Sequence, residues 1–261
     1  MPSTYAHYRF GAKLFTNMPG DVRRTIMRFR QLFDMGLHGP DIFFFSGVIP
    51  GTNANFLGTK YHDMTGEEFF TRACRWLRLE PSEAAVAYLY GVLCHYCLDC
   101  QCHPYVRDVA DKGEVSHFRL ETELERRLLE RDGKVPACSY DLSQNIRLTP
   151  GECETVARFY SPASPKAVKT AVSSMAFFLR LFAAPEGMRR TIVEKGVNLA
   201  GKHYADMLIT EKPNPLCAPY LPGLEEIYDR AEAIFPEMLN QLQAHMTYGA
   251  PFGDEFKAKF D

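Results

Sequence analysis

Residues 91–106 read GVLCHYCLDCQCHPYV: four cysteines, two histidines and an aspartate set in an otherwise apolar run. The longer stretch SEAAVAYLYGVLCHYCLDCQC has the composition of a buried helix, with Pro81 expected in its first turn and Pro104 near its far end as a stop or kink. Successive side chains of an α-helix are rotated by about 100°, so His95, Asp99 and His103, four apart, line one narrow stripe. Two imidazoles and a carboxylate on one stripe need polar partners, which hydrocarbon packing cannot offer. A metal ion can.

The cysteines do not share that stripe. On the same helical wheel Cys97 falls nearly opposite, Cys94 and Cys100 lie to the sides, and Cys102 is nearest. Structural four-cysteine zinc sites draw their pairs from turns, not from consecutive turns of one helix. These thiols are therefore read as small buried hydrophobes, with a zinc ribbon or a redox dithiol as the competing reading.

The following run, VSHFRLETELERRLLERDG, places His117 and Glu121 four apart on one face and ends at Gly133, a residue suited to a helix C-cap. Upstream stand His7, Asp41 in HGPDIFFF and His62 in KYHDM. The Gly39-Pro40 turn ahead of Asp41 is a context that exposes a carboxylate towards a cavity. Catalytic zinc takes about three protein ligands and keeps one position open, so the three imidazoles and two carboxylates of the two helices serve two ions if Asp99 bridges or a further residue, such as one of these upstream three, helps.

Other start signals also announce helices. Thr65 and Glu68 have the spacing of a capping box, Thr149-Pro150 and Ser164-Pro165 each set an N-cap before a proline, and a last helix is expected from about Leu224 to His245. TEKPNPLCAPYLPG reads as loop, and IFFFSGV as a strand, a buried turn or a short helix. No repeat or composition shift divides the chain, so the expected fold class is all-α, one multi-helix domain over residues 1–261. Its 46% hydrophobic content suffices for a large core, and a formal net charge of −2 argues against stable nucleic-acid binding. No leader and no integral membrane segment is read: FFLRLFAAP is short and interrupted by Arg180. A soluble cytoplasmic protein with its eight cysteines as thiols is expected.

The ordered set His7, Asp41, His62, His95-x3-Asp99-x3-His103 and His117-x3-Glu121 resembles the zinc-dependent phospholipase C family, whose all-helical fold is shared with zinc-dependent single-strand nucleases. MPSTYAHYRFG, GPDIFF and CHPYV look most like a cytosolic bacterial branch of it. The resemblance implies one zinc on His62, His95 and Asp99, a second on His103, His117 and Glu121, and a third on Asp99 with His7. Asp41 is implied as the base at the attacking water or as a further ligand. Secreted members complete the third site with an N-terminal tryptophan that this sequence lacks, so a two-metal centre is the alternative expectation. The implied activity is phosphodiester hydrolysis by metal-bound hydroxide, on a small phosphoester or a phospholipid head group. Zinc is the expected ion, although iron, manganese or nickel accept the same donors.

Two other readings stand beside this one: an HD-type phosphohydrolase built on His62-Asp63, and a metal-binding module without catalysis. Tyr5, Tyr8, Phe43, Phe44, Phe45, Phe56 and Tyr61 are read as core first and as a cleft wall second. His38 is read as a neighbour of the site rather than a ligand, and His203 and His245 as solvated or capping residues. No basic amphipathic helix is evident in the sequence.

Overall fold

The computed structural model describes residues 4–48, 54–185, 187–200 and 205–260. His203 therefore lies outside the described residues. Among them there is no strand, and the only β-type pairing is an isolated bridge between Thr65 and Lys259. The fold is all-α, as the patterning predicts.

Its centre is a 29-residue helix, α6 (Glu83–Asp111), in which every residue from Ala87 to Cys100 is buried. A helix surrounded by others is apolar all round, which is why this run carries so little amphipathic signal. Pro81 precedes its N-cap: Ser82 caps the helix by accepting the Ala85 N–H, so the proline sits outside the first turn. Nor does Pro104 end the helix, which runs on to Asp111. A proline forfeits one intrahelical hydrogen bond, and here α7 (His117–Arg131) and α11 (Leu221–Tyr248) pack along α6 and hold it in place.

Helices α1 (Thr4–Asn17), α2 (Gly20–Arg28) and α3 (Arg30–Gly36) also pack against α6. The α3–α6 crossing is close because Gly36 and Gly91 meet there. A Cβ on Gly91 would lie 2.2 Å from the Phe33 carbonyl oxygen, and one on Gly36 would lie 2.3 Å from that of Tyr88. From α3 the chain passes into a 3₁₀ segment, Gly39–Val48, so IFFFSGV is helical rather than extended. The short helix α4 (Asn55–His62) packs against that segment.

The predicted caps are in place. Thr65 and Glu68 close a reciprocal capping box on α5 (Gly66–Leu79), and Thr149 with Glu152 does the same on α8 (Pro150–Ala157). Ser164 caps α9 (Pro165–Phe182). Gly133, with φ of +72°, lies just past α7, where Lys134 N–H donates to the Leu129 carbonyl in the manner of a Schellman turn. The C-terminal tail returns to the entrance of α5, where Gly66 N–H donates to the Ala258 carbonyl and Phe260 N–H to that of Met64. Phe260 is fully buried, its ring against Tyr96 and Phe69. Helix α10 (Met188–Ala200) rests on a small separate cluster formed by Ala184, Val193, Val197 and Leu208.

Candidate metal centre

Four elements converge on the middle of α6. His7 comes from α1, Asp41 from the 3₁₀ segment, His62 from the end of α4, and His117 and Glu121 from the first turns of α7. They meet the His95-Asp99-His103 stripe. Asp99 is the hub. Its Oδ1 faces His7 Nε2 at 3.2 Å and His103 Nε2 at 3.5 Å, while its Oδ2 faces His95 Nε2 at 2.9 Å and His62 Nε2 at 4.0 Å. Asp41 Oδ1 lies 3.0 Å from His62 Nε2. Glu121 Oε1 lies 3.3 Å from His103 Nε2 and 3.2 Å from His117 Nε2. All eight sequence-predicted donors thus form one connected set, and all except the half-buried His117 are buried.

Within that set, ligand atoms cluster within 4.8 Å of one another in three groups: Asp41, His62 and His95; His7, His95 and Asp99; and His103, His117 and Glu121. This division gives Asp41 to the group of His62 and His95, and places His95 and Asp99 together with His7.

The far sides of three rings are pinned by main-chain carbonyls. Nδ1 of His62 lies 2.8 Å from Gly58 O, that of His95 3.2 Å from Leu37 O, and that of His103 3.0 Å from Phe260 O. A carbonyl only accepts, so each Nδ1 carries a proton, and in the neutral ring Nε2 is left with a bare lone pair turned inwards. Inwards it meets carboxylate oxygens, which are also acceptors. His62 Nε2, His95 Nε2, Asp41 Oδ1, Asp99 Oδ2 and Glu121 Oε2 are fully buried and make no hydrogen bond. Although several of these atoms stand at ion-pair distance, their hydrogen-bonding directions miss one another. Buried acceptors aimed at a common point are costly unless a cation sits there. The residues present fit a cluster of divalent ions.

Protonation states agree with that fit at the three carboxylates and at His95. Burial pushes the Asp99 carboxyl up, but His95, His103 and His7 outweigh it and hold the group well below the usual carboxylate range. Burial is likewise overcome at Asp41 by His62 and His95, and at Glu121 by His117 and His103, so both stay ionised. His95 is pushed down by burial despite Asp99 and is neutral. His62 moves the other way, because Asp41 outweighs the burial that would lower it.

Gly39 makes room for this geometry. Its φ is +47°, and a Cβ there would lie 2.5 Å from Cδ2 of the His95 ring, so only glycine lets the chain pass over the imidazole on its way to Asp41. His38 beside it is buried and lowered to about 3, by burial first and then by His7, so it is neutral next to the cluster while belonging to none of the three groups.

One buried carboxyl escaped the sequence reading. Glu125 extends the α7 stripe of His117 and Glu121 by one more turn, a spacing that was there to be read. It accepts hydrogen bonds from the Tyr5 N–H and, at 3.3 Å, from the Ala6 N–H, capping α1 just ahead of His7. Burial raises its carboxyl well above the ordinary range. It is protonated, and adds no charge to the centre.

The competing chemistry finds no footing. All eight cysteines are free and buried, and no cysteine belongs to a metal-competent group among the described residues. Cys97 Sγ donates to the Ala231 carbonyl on the side away from the stripe, and burial pushes the Cys100 thiol up to about 12. Asp63, which an HD-type site needs as a ligand, is exposed and lies 3.2 Å from Lys259 Nζ. His245 is not solvated: it is buried, stacks on Phe252, and its Nδ1 lies 2.6 Å from the Ala250 carbonyl just past the end of α11, the capping role expected of it. Of the aromatic set, Tyr5, Phe43, Phe45 and Tyr61 are core, Tyr8 and Phe44 are half-buried, and Phe56 is exposed. The Phe44 ring lies 5.1 Å from that of His62.

Comparison with curated proteins and with solved structures gives no match to either. A family model described as zinc dependent phospholipase C, by contrast, matches residues 6–169, a span that includes every donor of the centre. With that match covering more than half of its length, the chain belongs to the zinc-dependent phospholipase C family.

Proposed function

We propose that the chain hydrolyses phosphodiesters in the manner of a phospholipase C, through a cluster of two or three zinc ions held by His7, Asp41, His62, His95, Asp99, His103, His117 and Glu121. The observation that carries this reading is the set of inward-facing polar atoms: imidazoles whose outer nitrogens are tied to carbonyls turn their inner nitrogens towards ionised carboxylates without a hydrogen bond between them. When bound, zinc supplies an acidified water and neutralises the charge on the phosphoryl oxygens.

The chain's own groups do the rest. His62 orients the Asp41 carboxylate and keeps it ionised, so that Asp41 accepts the proton of the attacking water. Asp99 holds four imidazoles in register through its two oxygens. Carbonyls of Leu37, Gly58 and Phe260 fix three rings in the tautomer that a metal needs. Phe44, against His62, limits water on one side.

The substrate class is a small phosphoester or a phospholipid head group. The family supports the lipid, and no helix among the described residues is long and apolar enough to cross a membrane. We read residues 1–261 as one domain, and the eight free thiols support a cytoplasmic, reducing location.

The test is turnover of a chromogenic phosphodiester by native chain and by Asp41→Asn, with metal content measured on both. Loss of about 10²-fold or more in kcat is expected, with the metal retained where Asp41 acts as the base alone and reduced where it is also a ligand. Metal present in the native chain with no hydrolysis of any phosphodiester would favour a binding module that has lost catalysis.

A further inference from the structure

Helix α10 is apolar on two opposite faces. Val193 and Val197 turn inwards to the small cluster with Ala184 and Leu208. On the other side Met188, Ile192 and Leu199 fall at i, i+4 and i+11, one stripe on the helical wheel, and they are 81, 64 and 92% exposed. Lys195, at i+7, completes the stripe and is exposed as well. Exposed apolar rows of this kind mark contact surfaces, and single exposed residues do not. The row is absent from the sequence reading because a helix apolar on both sides has no clear polar face to reveal it.

We infer that the outer face of α10 is a docking surface for a lipid bilayer bearing anionic head groups. Charge complementarity identifies the occupant. Arg180 and Arg189 are exposed beside the stripe, joined by the Arg189 side chain donating to the Arg180 carbonyl, and Lys195 stands within it. The helix's described acid, Glu194, is drawn to Arg190 at 2.7 Å, and the acid facing Arg180, Asp141, is 3.9 Å away. A cationic rim around a row of large apolar side chains is what an interfacial helix presents to an anionic membrane, with lysine and arginine reaching the head groups. Arg190 also donates to the Ile209 carbonyl at 2.8 Å, fastening the inner face so that the stripe points outwards.

A small cleft of about 30 Å³ is walled in part by Leu179, Phe182, Ala183, Met207 and Ile209. Phe182 closes α9 immediately before α10 and packs on the same small cluster. Glu125, one helical turn from Glu121, also lines this cleft.

The choice of a lipid as occupant rests on the phospholipid reading above; the stripe and its cations do not. The experiment is co-sedimentation of the full chain with phosphatidylcholine vesicles containing phosphatidylglycerol, at low and high salt, for the native chain and for Ile192→Glu/Leu199→Glu. Both positions are exposed, so the variant keeps its fold and its metal content. Native binding weakened by salt, and a loss of about a hundredfold in the variant, are expected. Vesicle binding that is absent in the native chain, or equal in the variant, overturns the proposal. So does self-association of the native chain that the two substitutions abolish without any vesicle binding. Metal analysis of the same samples separates the two claims: a metal-free chain that binds vesicles refutes the hydrolase reading and leaves the docking face standing. A metal-loaded chain that ignores vesicles does the reverse.

Discussion

Replacing Gly91 by alanine tests whether the α3–α6 crossing sets the metal centre. The new Cβ would lie 2.2 Å from the Phe33 carbonyl oxygen and 2.8 Å from Gly36 Cα, whereas ordinary contact begins near 3.4 Å. Both neighbours are backbone, so the helices must part by roughly 1 Å in a close-packed interior. Overpacking of this kind costs about 1–3 kcal/mol, and the better helix propensity of alanine returns at most about 1 kcal/mol. The displacement reaches the site directly: Leu37 follows α3, and its carbonyl already stands at 3.2 Å from His95 Nδ1. A further ångström breaks that bond, and with it another ~1 kcal/mol. The expected net loss is about 1–3 kcal/mol, a fall in Tm of roughly 3–10 °C for a chain of this size. Losing an imidazole's outer partner also weakens metal binding by about 10–100-fold. Thermal melting with and without metal, and competition against a chelator of known affinity, measure the two effects. Gly196→Ala is the control, since a Cβ there meets nothing within 4 Å. Should Gly91→Ala match the control in both Tm and metal affinity, the claim that this crossing positions His95 would be wrong.

Other consequences are equally open to measurement. Glu125→Ala, which orphans the Tyr5 and Ala6 N–H groups, costs about 1–3 kcal/mol in denaturant unfolding. Glu125→Gln keeps an acceptor and removes a titration. Because burial raises this carboxyl in the folded state, its contribution to stability is present at acid pH and is lost as pH climbs above the unfolded carboxyl's range, so the glutamine variant equals the native chain near pH 4 and surpasses it near pH 8. A metal must displace the proton that Asp41 holds on His62, whose pKa is raised. Apparent zinc affinity therefore increases with pH through neutrality and levels off once His62 is deprotonated, as calorimetry at several pH values will record. Cys97→Ala with Cys100→Ala, and separately Asp63→Ala, leave metal content unchanged; loss of metal in the first would restore the thiol reading, and in the second the HD reading.

The parts of the centre legible in the sequence are those governed by helical period. His95, Asp99 and His103 were visible as a stripe, and His117 with Glu121 as another, because four-residue spacing fixes a face wherever the helix is placed. The same rule would have added Glu125. Bringing the stripes together with His7, Asp41 and His62 needed a resemblance, since no local pattern states which helices meet. The carbonyls of Leu37, Gly58 and Phe260 were not legible at all: any residue type carries a carbonyl, and Phe260 reaches His103 across 157 residues of chain. The prolines misled for a related reason. Pro81 and Pro104 were assigned by local helix chemistry, while a neighbouring serine cap and the packing of α7 and α11 decided where α6 begins and ends. On α10 two apolar faces cancelled the signal that one would have given.

The central claim is that Asp99 organises a cluster of divalent ions, and elemental analysis of untagged chain purified without added metal tests it most directly. Compared with Asp99→Asn, the native protein is predicted to carry about two or three ions per chain, zinc foremost, falling to at most about one in the variant as the shared carboxylate becomes an amide. Zero or one ion in the native chain, unchanged by Asp99→Asn, would contradict the account and make the stripe of α6 a structural feature.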